Sequence, residues 1–396
     1  MSTNLDWAKR LSADELISQA EEHSGLADWG EDDFRSALDV LVGAAETEAE
    51  MSPLGRKRVR TWLIMQLEQR LGIIEDRKRI PQITRQKIES PIFIMGLPRA
   101  GTTFLHRLMS LHPDTLTTRW WELFIPSPPP NDPTFDHAPQ IERMDKFMEY
   151  QGWYSPRVMQ AHTHHPEEPE EDMFATLFSF VSMYFTGYLD VPSYVKYIAG
   201  RGLADAFAWH RRVLQAIQYG TNGKRFMLKS PGHTLHVPQL MEHYPDAFLI
   251  QNHRDPSRVM ASVFSTISNT RSMISDRPQL VGREEAMAFM HGYAQGLISV
   301  ADQREKLAGA NRFFDVQYLD LVRNPLGCVK AALRHVGLEC SPELENKVID
   351  WTKLNRQGKH GKHRYALSDY GLTQNDVHSV FSDYIERFAV EREEDV

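Results

Sequence analysis

The chain is short of cysteine, of long apolar runs and of excess positive charge, and each shortage excludes something. Only Cys328 and Cys340 occur among 396 residues, which rules out a disulfide framework and a cysteine-built zinc centre. No stretch approaches the ~18 consecutive apolar residues of a membrane-spanning helix. The longest apolar runs, such as 91–97, have the length of buried strands. Residues 1–22 alternate charged and polar side chains and lack the apolar centre of a signal peptide. Lysine and arginine number 45 against 53 aspartates and glutamates, a formal charge of −8. General binding to nucleic acid or to an anionic membrane needs clustered positive charge and is not expected. What remains is a soluble, cytoplasmic globular protein, whose 41% hydrophobic residues suffice for a sizeable core.

Residues 1–88 read as a helical N-terminal extension. Ser12-Ala-Asp-Glu15 fits a capping box, in which hydroxyl and carboxylate satisfy free N–H groups at a helix start. Leu16, Ile17 and Ala20 follow at helical spacing. A second helix is expected over 32–48 and a third over 53–74, carrying Trp62, Leu63, Met65, Leu67 and Leu71. The run Arg77-Lys78-Arg79 reads as a solvated helix end or linker.

Residues 89–396 change pattern. Ile92-Phe93-Ile94-Met95 before Gly-Leu-Pro is a buried strand entering a tight turn. Further strands fit 226–229, 248–253 and 312–318, with helices at 236–243, 256–267, 284–308 and 325–336. Strands alternating with helices predict an α/β domain with a P-loop-like parallel sheet flanked by helices.

The most informative segment is Gly96-Leu-Pro-Arg99-Ala100-Gly101-Thr102-Thr103-Phe104, between that strand and a helix. Glycines let the backbone approach an anion, and a helix start aims free N–H groups at it. Thr102 and Thr103 add hydroxyl donors, and Arg99 can clamp oxygens in pairs. The spacing of Gly96, Gly101 and Thr103 matches G-x-x-x-x-G-K-[ST], except that Thr102 stands where the lysine belongs. A lone glycine pair would be an ordinary strand-to-helix turn; strand, glycines, arginine, paired threonines and helix in order read as an anion site.

Pro98-Arg99-Ala100-Gly101-Thr102-Thr103 resembles the P-[KR]-x-G-[TS]-[TS] signature of sulfotransferases that use 3′-phosphoadenosine 5′-phosphosulfate, with the arginine of the bacterial-type and carbohydrate-type branches. The resemblance implies that Arg99, Ala100, Gly101, Thr102, Thr103 and Phe104 hold the 5′-phosphosulfate. His253-Arg254-Asp255-Pro256 with Ser262 is similar to the family's second signature, R-[DN]-P-x-[DR]-x-x-x-S. It implies that Arg254 and Ser262 bind the 3′-phosphate, while Asp255 and Pro256 fit an N-cap and first helical residue on local grounds. Tyr318-Leu-Asp320-Leu321 is similar to the Y-x-D-L strand end whose tyrosine contacts adenine. The resemblance spans about 91–325.

Sulfuryl transfer resembles phosphoryl transfer, so catalysis should rest on positioning and electrostatics. Arg99 and Lys229 can neutralise charge on the leaving group, and a hydroxyl acceptor needs a general base. In cytosolic members of the family a histidine follows the lysine by two residues; here that place holds Pro231, and the nearest histidine is His233. A second source is His162-Thr-His164-His165-Pro166-Glu167-Glu168-Pro169-Glu170-Glu171-Asp172, similar to a P-E-E-D stretch of the bacterial-type branch. The expectation is Glu170 or Glu171 as base with His233 as a polar partner, and no metal. The alternative for the stretch is a solvated acidic helix start. Aromatics around it, from Trp120 to Phe185, are expected mostly in the core, with a subset suiting a hydrophobic small-molecule hydroxyl acceptor. Five cations in 353–364 fit either a mobile basic loop or a donor-closing segment. Two other functions stay open on these residues: a P-loop nucleotide kinase or NTPase, disfavoured by the absent lysine, and a non-catalytic nucleotide-binding interaction protein.

Overall fold

The computed structural model describes residues 9–156, 159, 165–276, 281–309, 311–355 and 366–393. Three helices come first: α1 (Ala13–Ser24), α2 (Arg35–Thr47) and α3 (Pro53–Arg79). Ser12 caps α1 and Ser52 caps α3, each hydroxyl accepting from an N–H of the first turn, and Pro53 occupies the position that needs no N–H. α3 outruns the expected residue 74 because the basic run continues it, with Arg79 turned back to Asp76 at 2.9 Å and Arg77 donating to Gln215 at 2.8 Å.

Among the described residues five strands follow: β1 (Ile92–Gly96), β2 (Thr115–Leu116), β3 (Arg225–Lys229), β4 (Phe248–His253) and β5 (Phe313–Gln317). They form one sheet in the order β2-β3-β1-β4-β5, and every pairing is parallel. A parallel sheet is covered on both faces, so its central strand reads as a continuous apolar run. β1 is buried throughout. Its alternate residues serve different cores: Ile92 and Ile94 join Leu105, Met227, Ile250 and Val316, whereas Phe93 and Met95 join the larger cluster beneath the helices. Each such side chain contributes roughly 1.5–3 kcal/mol by leaving water. That larger cluster also takes in Leu38, Leu63, Trp120, Phe178 and Phe207, so α1–α3 share it with residues around the sheet. The change from helical to mixed structure falls between Arg79 and Ile92.

The chain leaves β1 toward β2 and β3 on one side and later fills β4 and β5 on the other. Such a reversal opens a crevice above the carboxyl ends of the strands. The register brings the relevant ends level: Gly96 lies opposite Asn252, Ile94 opposite Lys229, and His253 opposite Gln317. The loops that follow β1, β3, β4 and β5 therefore converge on one edge. Two helices frame it, α4 (Thr102–Met109) directly after β1 and the helix Pro256–Arg271 after β4.

Candidate active site

The turn after β1 is shaped by three residues with positive φ: Gly96 at 141°, Arg99 at 64° and Gly101 at 82°. A methyl group on Gly96 would stand 2.2 Å from the Asn252 carbonyl oxygen, and one on Gly101 would press on the Tyr318 ring at 3.1 Å. Gly96 is thus demanded by close approach to backbone as well as by its angle, and Gly101 by its backbone angle, with the Tyr318 ring close by. Gly96 exchanges two hydrogen bonds with the Thr234 hydroxyl, at 2.8 and 3.1 Å. Asn252 donates to the Ala100 carbonyl at 3.1 Å, and Arg254 to the Arg99 carbonyl at 2.9 Å. With those carbonyls tied to the scaffold, the loop presents N–H groups where α4 begins. Its N-cap is Gly101, which offers no side-chain oxygen of its own. An anion can take that place.

This turn forms one end of a cleft of about 470 Å³, within the usual size range of small-molecule sites. Arg99, Gly101, Thr102, Thr103 and Phe104 line it, together with Arg254 and Tyr318, so seven of the expected donor residues meet in one place. Ala100 and Ser262 are buried behind this surface. The Arg254 guanidinium lies 3.8 Å from the centre of the Tyr318 ring, a stacked cation. Asp255 accepts from the Ser257 N–H at 2.9 Å and Pro256 opens the helix, as the local sequence predicts.

The acidic stretch runs alongside residues 118–121. Glu170 donates its N–H to the Thr118 carbonyl at 2.9 Å, and the Thr118 hydroxyl returns a bond to the Glu170 carbonyl at 3.1 Å. This anchor fixes which side chains turn inward. Glu167 is exposed, and Glu168 pairs with Arg107 at 2.9 Å. Glu170 is buried, its Oε1 accepting from the Glu171 N–H at 2.9 Å. Glu171 is the carboxylate that reaches the cleft, with its side chain 20% exposed. Its Oε1 accepts from Lys229 Nζ at 2.9 Å, and its Oε2 from the Tyr184 hydroxyl and, at 3.2 Å, from Ser230. Lys229 itself is 1% exposed at the end of β3, with Glu170 Oε1 3.7 Å away. Burial by itself would lower the Lys229 pKa, but Glu171 and then Glu170 raise it above its ordinary value, so the ammonium persists as a fixed donor. Burial and the Glu171 charge push the Tyr184 phenol well up, keeping it a donor too.

His233 goes elsewhere. Its ring is fully buried against Phe93 and its Nε2 bonds Asp172 Oδ2 at 2.6 Å, so it partners the next carboxylate along and not Glu170 or Glu171. His210 Nε2 meets the same oxygen at 2.8 Å, and its Nδ1 meets the Tyr244 hydroxyl at 2.7 Å. Burial would raise the Asp172 carboxyl, but the His233 and His210 rings hold it well below the usual carboxylate range. Asp172, His210 and His233 also offer ligand atoms within 4.8 Å of one another, and Asp172 Oδ2 joins the two rings by hydrogen bonds. His162, His164 and the segment 356–364 lie outside the described residues.

Pro231, Arg258, Val263, Thr266 and Ile267 complete the cleft wall. Val263, Thr266 and Ile267 recur at the spacing of one helix face, a pattern present in the sequence but without a chemical signature to single it out. Ser230, 59 residues from Glu171, was equally inconspicuous, and Tyr184 was one of the aromatics around the acidic stretch with nothing to single it out. Of the aromatics around the acidic stretch, Trp120, Trp121, Phe124, Trp153, Phe174, Phe178, Phe180 and Phe185 are core. Among the described residues no helix is long and apolar enough to cross a membrane.

Comparison with known proteins gives a consistent answer. The profile of the "Sulfotransferase family" matches residues 91–343. The omega-hydroxy-beta-dihydromenaquinone-9 sulfotransferase Stf3 of Mycobacterium bovis is 25% identical over 333 residues, which cover 77% of this chain and 76% of that protein. The solved structure of sulfotransferase STF1 from Mycobacterium tuberculosis H37Rv superposes with a TM-score of 0.81 at 32% identity, covering 95% of this chain and all 100% of that one. Sulfotransferase STF9 from Mycobacterium avium shares the fold, with a TM-score of 0.84 at 24% identity over 96% of this chain and 97% of its own. The matched span runs from β1 through β5, and the chain belongs to the sulfotransferase family.

Proposed function

We propose that this enzyme moves a sulfuryl group from 3′-phosphoadenosine 5′-phosphosulfate to a hydroxyl on a hydrophobic small molecule. The observation that carries the reading is that Glu171 and the anion turn 99–104 line one cleft. The donor's parts fit the residues present. The glycine cradle and the α4 start suit its phosphosulfate, Arg254 and Arg258 its 3′-phosphate, and the Tyr318 ring its adenine. When bound, the donor supplies an activated sulfuryl group on a good leaving phosphate.

In this reading Arg99 and the first-turn N–H groups of α4 hold the transferred group in line and receive the charge left on the 5′-phosphate. Glu171 accepts the acceptor's hydroxyl proton as that oxygen bonds to sulfur and the bridging sulfur–oxygen bond breaks. Lys229, Tyr184 and Ser230 fix the orientation of that carboxylate. No step is assigned to a metal. The flank of Pro231, Val263 and Ile267 beside Glu171 favours an apolar acceptor body, and the relative named for an omega-hydroxy menaquinone acceptor supports a hydroxyl on such a molecule.

The test is transfer of labelled sulfate from the donor, with EDTA present, to a panel of hydroxylated quinones, long-chain alcohols, phenols and sugars. Saturable labelling of the apolar alcohols is expected. Labelling restricted to sugars would overturn the acceptor class, and no labelling of any member, despite tight bisphosphate binding, would overturn the enzyme reading.

A further inference from the structure

The guanidinium assigned to the 3′-phosphate already holds an anion from its own chain. Arg254 Nε donates to Glu393 Oε1 at 2.7 Å and Nη2 to Oε2 at 3.0 Å, a fork-to-fork pair. The pair is largely shielded, with 19% and 16% of the two side chains exposed. The backbone is fastened beside it: Arg258 donates to the Glu393 carbonyl at 2.9 Å, and the Glu393 N–H to Asp255 Oδ2 at 2.9 Å. Glu393 therefore lies against both Arg254 and Arg258, two of the arginines that line the cleft.

A carboxylate and a phosphate dianion make the same bidentate demand on an arginine, and one fork cannot serve both. We infer that Glu393 is a specificity-determining residue for the donor: an internal stand-in for the 3′-phosphate that the bound nucleotide must displace. The inference rests on the donor reading above. Two further contacts separate displacement from mere support of the arginine. Arg254 Nη1 is held by the Arg99 carbonyl at 2.9 Å, and its flat face by the Tyr318 ring at 3.8 Å. The guanidinium thus stays positioned toward the cleft when the carboxylate leaves. Affinity for a ligand whose competent state is only part-populated is reduced by that fraction, so Glu393 weakens recognition of the 3′-phosphate and of nothing else on the nucleotide. A nucleotide lacking that phosphate has no reason to dislodge it.

Titration calorimetry on the full chain, with adenosine 3′,5′-bisphosphate and adenosine 5′-phosphate as probes, tests this. Glu393→Gln keeps size and the backbone bond to Asp255 while removing the charge. The bisphosphate should bind about five-fold tighter and the monophosphate within about two-fold of wild type, as for loss of a shielded ion pair. A wild-type preference for the bisphosphate that the substitution leaves unchanged overturns the inference alone. Weaker bisphosphate binding also overturns it, by making Glu393 a support for Arg254. Equal affinity of the wild-type chain for both nucleotides overturns the donor reading and the inference with it.

Discussion

The two walls of the cleft are built by different means. The proposed donor wall is built on a backbone turn, with three positive-φ residues, a Gly96 that has no room for a side chain and a helix start without a capping oxygen, to which Arg99, Arg254 and Tyr318 add their side chains. The wall around Glu171 is side chain. Lys229 and Ser230 come from the end of β3, Tyr184 from a short 3-10 turn, and Glu171 from an extended segment pinned to Thr118. A backbone site depends on a few contiguous residues, so substitutions there act on the chemistry directly. A side-chain site depends on distant elements holding register, so its failures divide between chemistry and stability. Neighbouring residues show that division: Glu171 faces the cleft, whereas Asp172 faces the core and carries two imidazoles.

Arg99→Ala should have the largest effect. It removes the one charged side chain of the 97–103 turn and should lower kcat by about 10³-fold, measured by labelled sulfate transfer. The fold should be unaffected, because Gly96, Ala100 and Asn252 keep the turn in place. Glu171→Gln comes next, with kcat reduced by about 10²-fold or more and Tm little changed, since Glu170 still faces the Lys229 ammonium. A fall in Tm without a fall in kcat would reverse the assigned roles of the two neighbouring carboxylates.

Asp172→Asn should behave in the opposite way. It deprives two buried imidazoles of their acceptor charge, at a cost of about 3 kcal/mol, with bisphosphate affinity retained in the folded fraction. The folded-state pKa of Asp172 is depressed, so its contribution is present above the unfolded value of 3.8 and is lost as pH falls further. Denaturant unfolding of wild type followed downward from pH 5 should therefore steepen below about pH 4, and the Asn variant should lack that component.

The same division explains what the sequence made legible. β1, its turn and α4 are contiguous, as are β4, Asp255 and the helix it caps, so local patterns placed these strands and helices while the family resemblance supplied the role expected of the second segment, and the strand at 248–253 matched to the residue. The phase of the acidic stretch was not legible. In an extended segment successive side chains point to opposite sides, so choosing between Glu170 and Glu171 requires knowing that Thr118 fixes the register, 52 residues earlier. His233 misled for a related reason. Its nearness in sequence to Lys229 suggested a shared task, but the short 3-10 turn Pro231–Leu235 carries its ring beneath the sheet edge to Asp172. Glu393 gave no signal at all, because its partner lies 139 residues away and no local pattern marks it.

The smallest expected effect tests whether the two walls act independently. Ile267→Ala trims the apolar part of the cleft lining on a half-buried helix face. Removing part of an aliphatic contact from a bound acceptor is worth about 1 kcal/mol, so the acceptor KM should rise about five-fold, with kcat and the donor KM within about two-fold of wild type. Ile267 touches none of the donor residues through a hydrogen bond or charge. If the donor KM rises alongside the acceptor KM, the walls are coupled through the helix Pro256–Arg271, which carries both Arg258 and Ile267. Combining Ile267→Ala with Arg254→Ala, itself expected to raise the donor KM about ten-fold, then measures that coupling. Additive losses keep the walls separate, and a departure of more than about 0.5 kcal/mol joins them.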